Sequence, residues 1–266
     1  MGQAFVSPWS TDLSLPTGAS MNLPTAIPAL ALDILSPHGE TVRVFSDPVP
    51  YLHAWELQSR LHEERVRNQV PDTVLILEHR PVYTLGRSTT TSHCGGNASL
   101  LCEHGAELHH VNRGGSITFH GPGQIVVYPV IKVDRHATGP RQLVWLLEEI
   151  IIQLLSRWNI TGHRIPGKPG IWVMTPTPEK IAFVGIRIER GVTLHGCAIN
   201  VDLDVTPFHR IHPCGFSDCR ITSMAAVRQK AISLDPVKQE LAQLCRRTFN
   251  LDWPTVLDSD RQTSIR

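Results

Sequence analysis

KIAFVGIRI (residues 180–188), ERG (189–191) and VTLHGCAINV (192–201) form the stretch on which the fold turns. The first and last parts are rich in β-branched and aromatic residues, and Glu189-Arg190-Gly191 punctuates them as a tight turn. The reading is two antiparallel strands joined directly. Strict alternation places Lys180 on the face of Ala182, Val184, Ile186 and Ile188. A hairpin set among helices excludes an all-parallel sheet. The predicted fold is therefore α/β of the α+β kind: a mixed, largely antiparallel sheet with flanking helices.

Working outward, Thr41–Phe45 alternates like a strand, and Val49–Asn68 reads as an amphipathic helix. Thr73–Glu78 is a short apolar run suited to a buried strand. Ile125–Ile131 is another strand, and Pro129 within it predicts an edge or a bulge. Arg141–Trp158 carries a broad apolar stripe at helical spacing. Gly170–Met174 reads as a strand, and Asp235–Phe249 as a helix with proline in its first turn. Residues 88–106 are short of long apolar side chains and read as a loop. The expected organisation is one catalytic domain over 41–250. A Pro-, Ser-, Thr- and Ala-rich extension (1–40), expected to be poorly structured, precedes it, and a tail (251–266) follows.

The chain has 266 residues, 41% of them hydrophobic, and a formal net charge of +1. That balance offers no global field for nucleic acid, so no nucleic-acid partner is expected. No run approaches the roughly 20 apolar residues that span a bilayer, and no membrane partner is expected. The start has no basic n-region, and the first Lys or Arg is Arg43. A cytoplasmic location is expected. The six cysteines make no repeated C-x-x-C pair and read as free thiols. His93, Cys94, Cys102 and His104 lack a recognised zinc spacing, so no metal and no cofactor are expected.

Three segments carry the chemistry. NRGGSITFHGPGQ (112–124) packs four glycines around Arg113 and His120, the composition of backbone that must approach a ligand closely. Cys214, between Pro213 and Gly215, is presented by a turn. Its thiol needs a neighbouring base to become a nucleophile. Lys180 ends an apolar row; it is either snorkelling to water or a desolvated amine able to act as a base. His79 and His195 are supporting candidates, each a structural hydrogen-bonder or a proton carrier.

Arg113–Gln124 resembles the signature R-G-G-x-x-T-x-H-G-P-G-Q of the lipoyl(octanoyl) transferases. The similarity continues through Lys180–Gly185, Arg190–Asn200, Pro207-Phe208 and Ile211–Gly215, in order, from about residue 43 to 250. The resemblance implies the fold of the biotin and lipoate protein ligase catalytic domain. It implies transfer of an octanoyl (or lipoyl) group from acyl carrier protein to a lysine of a lipoyl domain. The acceptor would be a lipoyl domain of a 2-oxoacid dehydrogenase complex or the glycine cleavage H protein. It implies catalysis by Cys214 and Lys180 through a cysteine thioester. The acyl site would be lined by Arg113, Gly114, Gly115, Ser116, Ile117, Thr118, Phe119, His120, Phe183, Val184, Gly185, Gly196, Cys197 and Ala198. Cys197 stands where the family often has an aliphatic residue. The partners are acidic in the family, which makes Arg80, Arg87, Arg141, Lys168 and Arg190 candidate docking groups. The alternatives are an ATP-dependent ligase on the same scaffold, a non-catalytic acyl- or lipoyl-domain-binding protein, and a cysteine hydrolase.

Overall fold

The computed structural model describes residues 41–96, 98–212 and 219–251. The expected extension 1–40, nearly all of the tail and Cys214 lie outside the described residues.

The described residues form ten strands and four α-helices, in the order β1 (Val42–Val44), α1 (Tyr51–Val66), β2 (Thr73–Leu77), β3 (Val82–Leu85), β4 (Glu107–His110), β5 (Ile117–His120), β6 (Gln124–Val130), α2 (Pro140–Arg157), β7 (His163–Ile165), β8 (Lys168–Met174), β9 (Pro178–Glu189), β10 (Val192–Asn200), α3 (Met224–Arg228) and α4 (Leu234–Thr248). Seven strands form one sheet, β1-β2-β6-β10-β9-β8-β7, and three form another, β4-β3-β5. Among the described strands β1–β2 and β3–β4 pair in parallel and the other pairs are antiparallel, so the sheets are mixed and largely antiparallel. The hairpin turns at Arg190 (φ 49°) and Gly191 (φ 77°), two successive left-handed residues, as the twist of a two-residue hairpin demands.

Alternation along the central strands sorts the core. Val74, Ile76, Ile125 and Val127 face α2 and α4, while Leu75, Leu77, Val126 and Tyr128 face α1. The apolar stripe of α2 (Leu143, Leu147, Ile150, Ile151, Leu154, Leu155) is wholly buried in the first of these clusters. The small sheet covers the other face beside α1. Its Tyr83, Ile117 and Phe119 cluster with Phe183 and Phe208, whose rings stack at 5.2 Å. Residues 88–106 contain two short 3-10 turns, Thr91–Cys94 and Ala98–His104, where a plain loop was expected.

Two expectations need correction. Pro129 lies on an interior strand, since β6 sits between β2 and β10. The pairs Cys197–Val127 and Val192–Lys132 share one register, which sets His195 opposite Pro129. Proline has no N–H to give there. The ladder opens instead, and Thr193 Oγ1 bridges the gap, donating to the Pro129 carbonyl and accepting from Ile131 N. His195 turns its own N–H to Gln58 Oε1 (3.0 Å) and adopts φ 59°.

The second correction concerns Lys180. The pairing of β8 with β9 slips by one residue between Ile171 and Trp172. Ile181 and Ala182 both enter the core under α2, and Lys180 emerges on the opposite face, with Phe183. A bulge re-aims a side chain in just this way.

Candidate active site

Between the large sheet and the small one lies a cavity of about 320 Å³. Strand β9 brings Lys180, Phe183, Val184 and Gly185 to it, and β10 brings His195 to Ala198. The loop before β5, with that strand, brings Arg113 to Thr118 and His120. Thus the glycine-rich run and the hairpin, more than fifty residues apart in sequence, share one wall. Gly185 and Gly196 face each other across β9 and β10. Gly196 is required by close approach: a Cβ there would stand 1.9 Å from the Val127 carbonyl oxygen.

Three predicted residues are placed differently. Phe119 packs away from the cavity against Tyr83 and Phe208. His79 lies behind the wall, linked to it through Tyr128. Cys197 borders the cavity, but its side chain belongs to the core under α2 and α4, where burial and the nearby Cys245 push its thiol well above the usual range. Tyr51, Ser88, His93, Tyr128, Gly167 and Pro169 also border the cavity and were not predicted. Tyr128 did leave a signal: a ring with a polar tip in an otherwise aliphatic strand. Tyr51 left none.

Lys180 is 2% exposed, with its amine 4.9 Å from the Phe183 ring and 5.3 Å from that of Trp172. Its backbone is tied to the chain just after 213–218: Lys180 N donates to Arg220 O (2.8 Å), and Thr222 N to Lys180 O (3.0 Å). On the other side of that segment, His212 N donates to His93 O (2.9 Å), and Ser116 Oγ meets His93 Nδ1 at 2.7 Å. Arg113, buried, donates through Nε and Nη2 to Thr84 and through Nη1 to Gly114 O.

No carboxylate is found among the described lining residues. Burial pushes His79 down to about 4, although its bond to Val49 O pulls the other way. Burial, with the Arg113 charge, pushes His195 down to about 3. Burial also holds His120 well below the usual range, assisted by His79 and Arg113. His79 donates through Nδ1 to the Val49 carbonyl (2.9 Å), so its Nε2 accepts from the Tyr128 hydroxyl (2.7 Å). The cavity therefore carries neutral imidazoles beside two basic side chains.

Neutral buried histidines make the fold acid-sensitive. The unfolded chain binds a proton at each near pH 6.5, and the folded chain only below the lowered values. Stability is thus full above pH 6.5 and falls as the pH drops toward 4 and then 3. At pH 5 the loss is about 2 kcal/mol for each of His79 and His195. A thermal midpoint lower by about 10 °C at pH 5 than at pH 7 is expected in a melting series. An unchanged midpoint would show that these rings are not held neutral.

Among the described residues no three His, Cys, Asp or Glu side chains gather as a metal site. Cys94 is buried, Cys102 is exposed and His93 is engaged with Ser116. The candidate docking groups Arg80, Arg87, Arg141, Lys168 and Arg190 are all exposed, and Arg190 is paired with Glu63. No described helix is long and apolar enough to cross a membrane.

A mixed sheet carrying a buried lysine and a glycine-lined cavity defines a class that comparison identifies. The chain belongs to the lipoyl protein ligase A/B catalytic domain family, which it matches over residues 50–246. It is 42% identical over 198 residues to an octanoyltransferase of Thermobifida fusca, covering 71% of this chain and 80% of that protein. It is 40% identical over 199 residues to an octanoyltransferase of Chloroflexus aggregans, covering 74% and 90%. In fold it is similar to a lipoate-protein ligase A bound with ATP (TM-score 0.61, 14% identity, 81% of this chain and 87% of that one). It is also similar to the bipartite lipoate protein ligase of Thermoplasma acidophilum (TM-score 0.58, 14% identity, 81% and 86%).

Proposed function

We propose that this chain is an octanoyltransferase. It moves an octanoyl group from acyl carrier protein to a lysine of a lipoyl domain, through a thioester on Cys214. The observation that carries the reading is Lys180, buried at the cavity wall and hydrogen-bonded through its backbone to Arg220 and Thr222. Those residues lie just beyond the segment that bears Cys214. The 42% identity to an octanoyltransferase supports the same reading.

In the first step Lys180 takes the Cys214 proton. The sulfur adds to the carrier thioester carbonyl, the new C–S bond forms, and the carrier thiolate leaves and is protonated from Lys180. One thioester replaces another, so the step is nearly balanced and needs no ATP. In the second step the acceptor amine attacks the acyl-enzyme. Lys180 takes a proton from the nitrogen, the C–S bond breaks, and Cys214 regains its proton. An amide formed from a thioester makes this step downhill. A carbonyl oxygen that becomes negative in both steps is favoured by the Arg113 guanidinium and by the lack of a carboxylate among the described lining residues. The tail is held by apolar burial at about 0.8 kcal/mol per methylene.

The test is the intact mass of the protein mixed with octanoyl-carrier protein in the absence of ATP. One added octanoyl group is expected, removable by neutral hydroxylamine and mapped to Cys214, and passed on when a lipoyl domain is added. Labelling that requires ATP, or that sits on another residue, refutes the proposal. The exposed Arg87 and Lys168 are the proposed docking groups for the two acidic partners.

A further inference from the structure

A chain of buried amides behind the cavity fixes which nitrogen of His120 carries its proton. Gln124 Nε2 donates to two acceptors, the Phe119 carbonyl (3.2 Å) and Asn200 Oδ1 (2.9 Å). Asn200 is held in that orientation because its own Nδ2 donates to the Thr222 carbonyl (2.9 Å). Both donors of the Gln124 amide are thereby used, and Oε1 is left as an acceptor. It lies 2.7 Å from His120 Nδ1. Of two atoms so close, one must donate, and only Nδ1–H can. A neutral imidazole with hydrogen on Nδ1 has a lone pair on Nε2.

Gln124 and Asn200 are both 0% exposed, and His120 is 7% exposed and borders the cavity. The relay also reaches the lysine. Thr222, whose carbonyl holds Asn200, donates its N–H to the carbonyl of Lys180. The charged and titratable groups around His120 are Arg113 from the glycine-rich loop, His79 from the β2–β3 link and His195 from β10. The Arg113 charge opposes a second proton on the ring, and the two imidazoles are themselves neutral. None is a carboxylate.

We propose that Gln124 and Asn200 are positioning residues that lock His120 as an Nδ1–H imidazole, whose Nε2 is a fixed hydrogen-bond acceptor for the N–H of the incoming lysine amine. This rests on the octanoyl-transfer reading for its ligand, though not for its tautomer. A neutral amine has two N–H groups and one lone pair. Holding one N–H at Nε2 leaves the lone pair free to attack the thioester carbonyl, and the second proton remains for Lys180. The thiol step has no such requirement. The relay therefore acts on transfer to the amine and leaves acylation of Cys214 largely untouched.

Nitrogen-15 spectra of histidine-labelled protein test the tautomer, with His120→Gln assigning the signals. The wild type is expected to show a protonated-type Nδ1 and an unprotonated-type Nε2. Asn200→Asp should keep this pattern, because its carboxylate still accepts from Gln124. Gln124→Met should lose it and slow transfer to the lipoyl-domain lysine by about tenfold or more, with single-turnover acylation of Cys214 near the wild-type rate. A protonated Nε2 in the wild type overturns the proposal. So does a Gln124→Met protein with the wild-type tautomer and transfer rate. If Cys214 is never acylated while the tautomer stands, the fault lies in the octanoyl-transfer reading and the lock survives it.

Discussion

Replacing Lys180 by methionine is expected to cut octanoyl transfer by about 10²- to 10⁴-fold, the usual worth of a general base, without loosening the fold. The side chain is 2% exposed and lies against the rings of Trp172 and Phe183. Methionine is of similar length and suits an aromatic surround. The thermal midpoint should hold, because methionine fills the same aromatic surround, while both half-reactions slow, since each needs a proton removed from sulfur or nitrogen. Lys180→Arg separates the two roles a cation can have. It keeps the charge but cannot give up its proton, so it should remain as slow as the methionine variant. Single-turnover acylation followed by mass, with a melt of each variant, makes the comparison. A Lys180→Met enzyme that acylates Cys214 at the wild-type rate would remove the lysine from the mechanism. Cys214→Ala should take up no hydroxylamine-labile label at all.

What the sequence disclosed about this site, and what it hid, has a physical pattern. The long elements were legible because periodicity needs length. The stripe of α2 and the hairpin of β9 and β10 repeat often enough for one face to stand out. The small sheet was not legible. Its strands are four residues each; β4 (Glu107–His110) is mostly polar and β5 lies inside the glycine-rich run. A four-residue strand shows only two turns of alternation, and these are held by tertiary contacts such as the Phe119–Phe208 pair. The cavity wall was largely legible because glycine, arginine and histidine together are costly unless backbone must come close to something. The direction of Lys180 was not. Alternation assigned it to the face of Ala182, and an extra residue within β9, Ile181, which the register with β8 skips, reversed it. No property of the segment 180–188 by itself records that slip. It is recorded on the neighbouring strand, in a glycine.

That glycine is Gly170, and Gly170→Ala is expected to damage both stability and transfer. Its φ of 98° is one that L residues rarely adopt. A Cβ there would stand 2.3 Å from the Ala182 carbonyl oxygen and 2.8 Å from Lys180 Cε. The lysine tip has somewhere to go, but the carbonyl is backbone in the adjacent strand and does not. Relief requires β8 to move off β9 at the slip itself. Such a movement also strains the bond from Gly170 N to Glu148 Oε1 (2.8 Å), which ties the strand to α2. Strain and overpacking together should cost about 3 kcal/mol or more, and the displaced amine should lower transfer more than tenfold. Gly191→Ala is the matched control. It has φ 77°, and nothing lies within 4 Å of its added Cβ. It therefore carries the conformational penalty alone, about 1 kcal/mol, and should transfer octanoyl at the wild-type rate. Urea unfolding and single-turnover transfer on the two variants separate a strained turn from a blocked lysine. Equal losses in both measurements would mean that Gly170 is needed only for its backbone, and that the slip does not set the aim of Lys180.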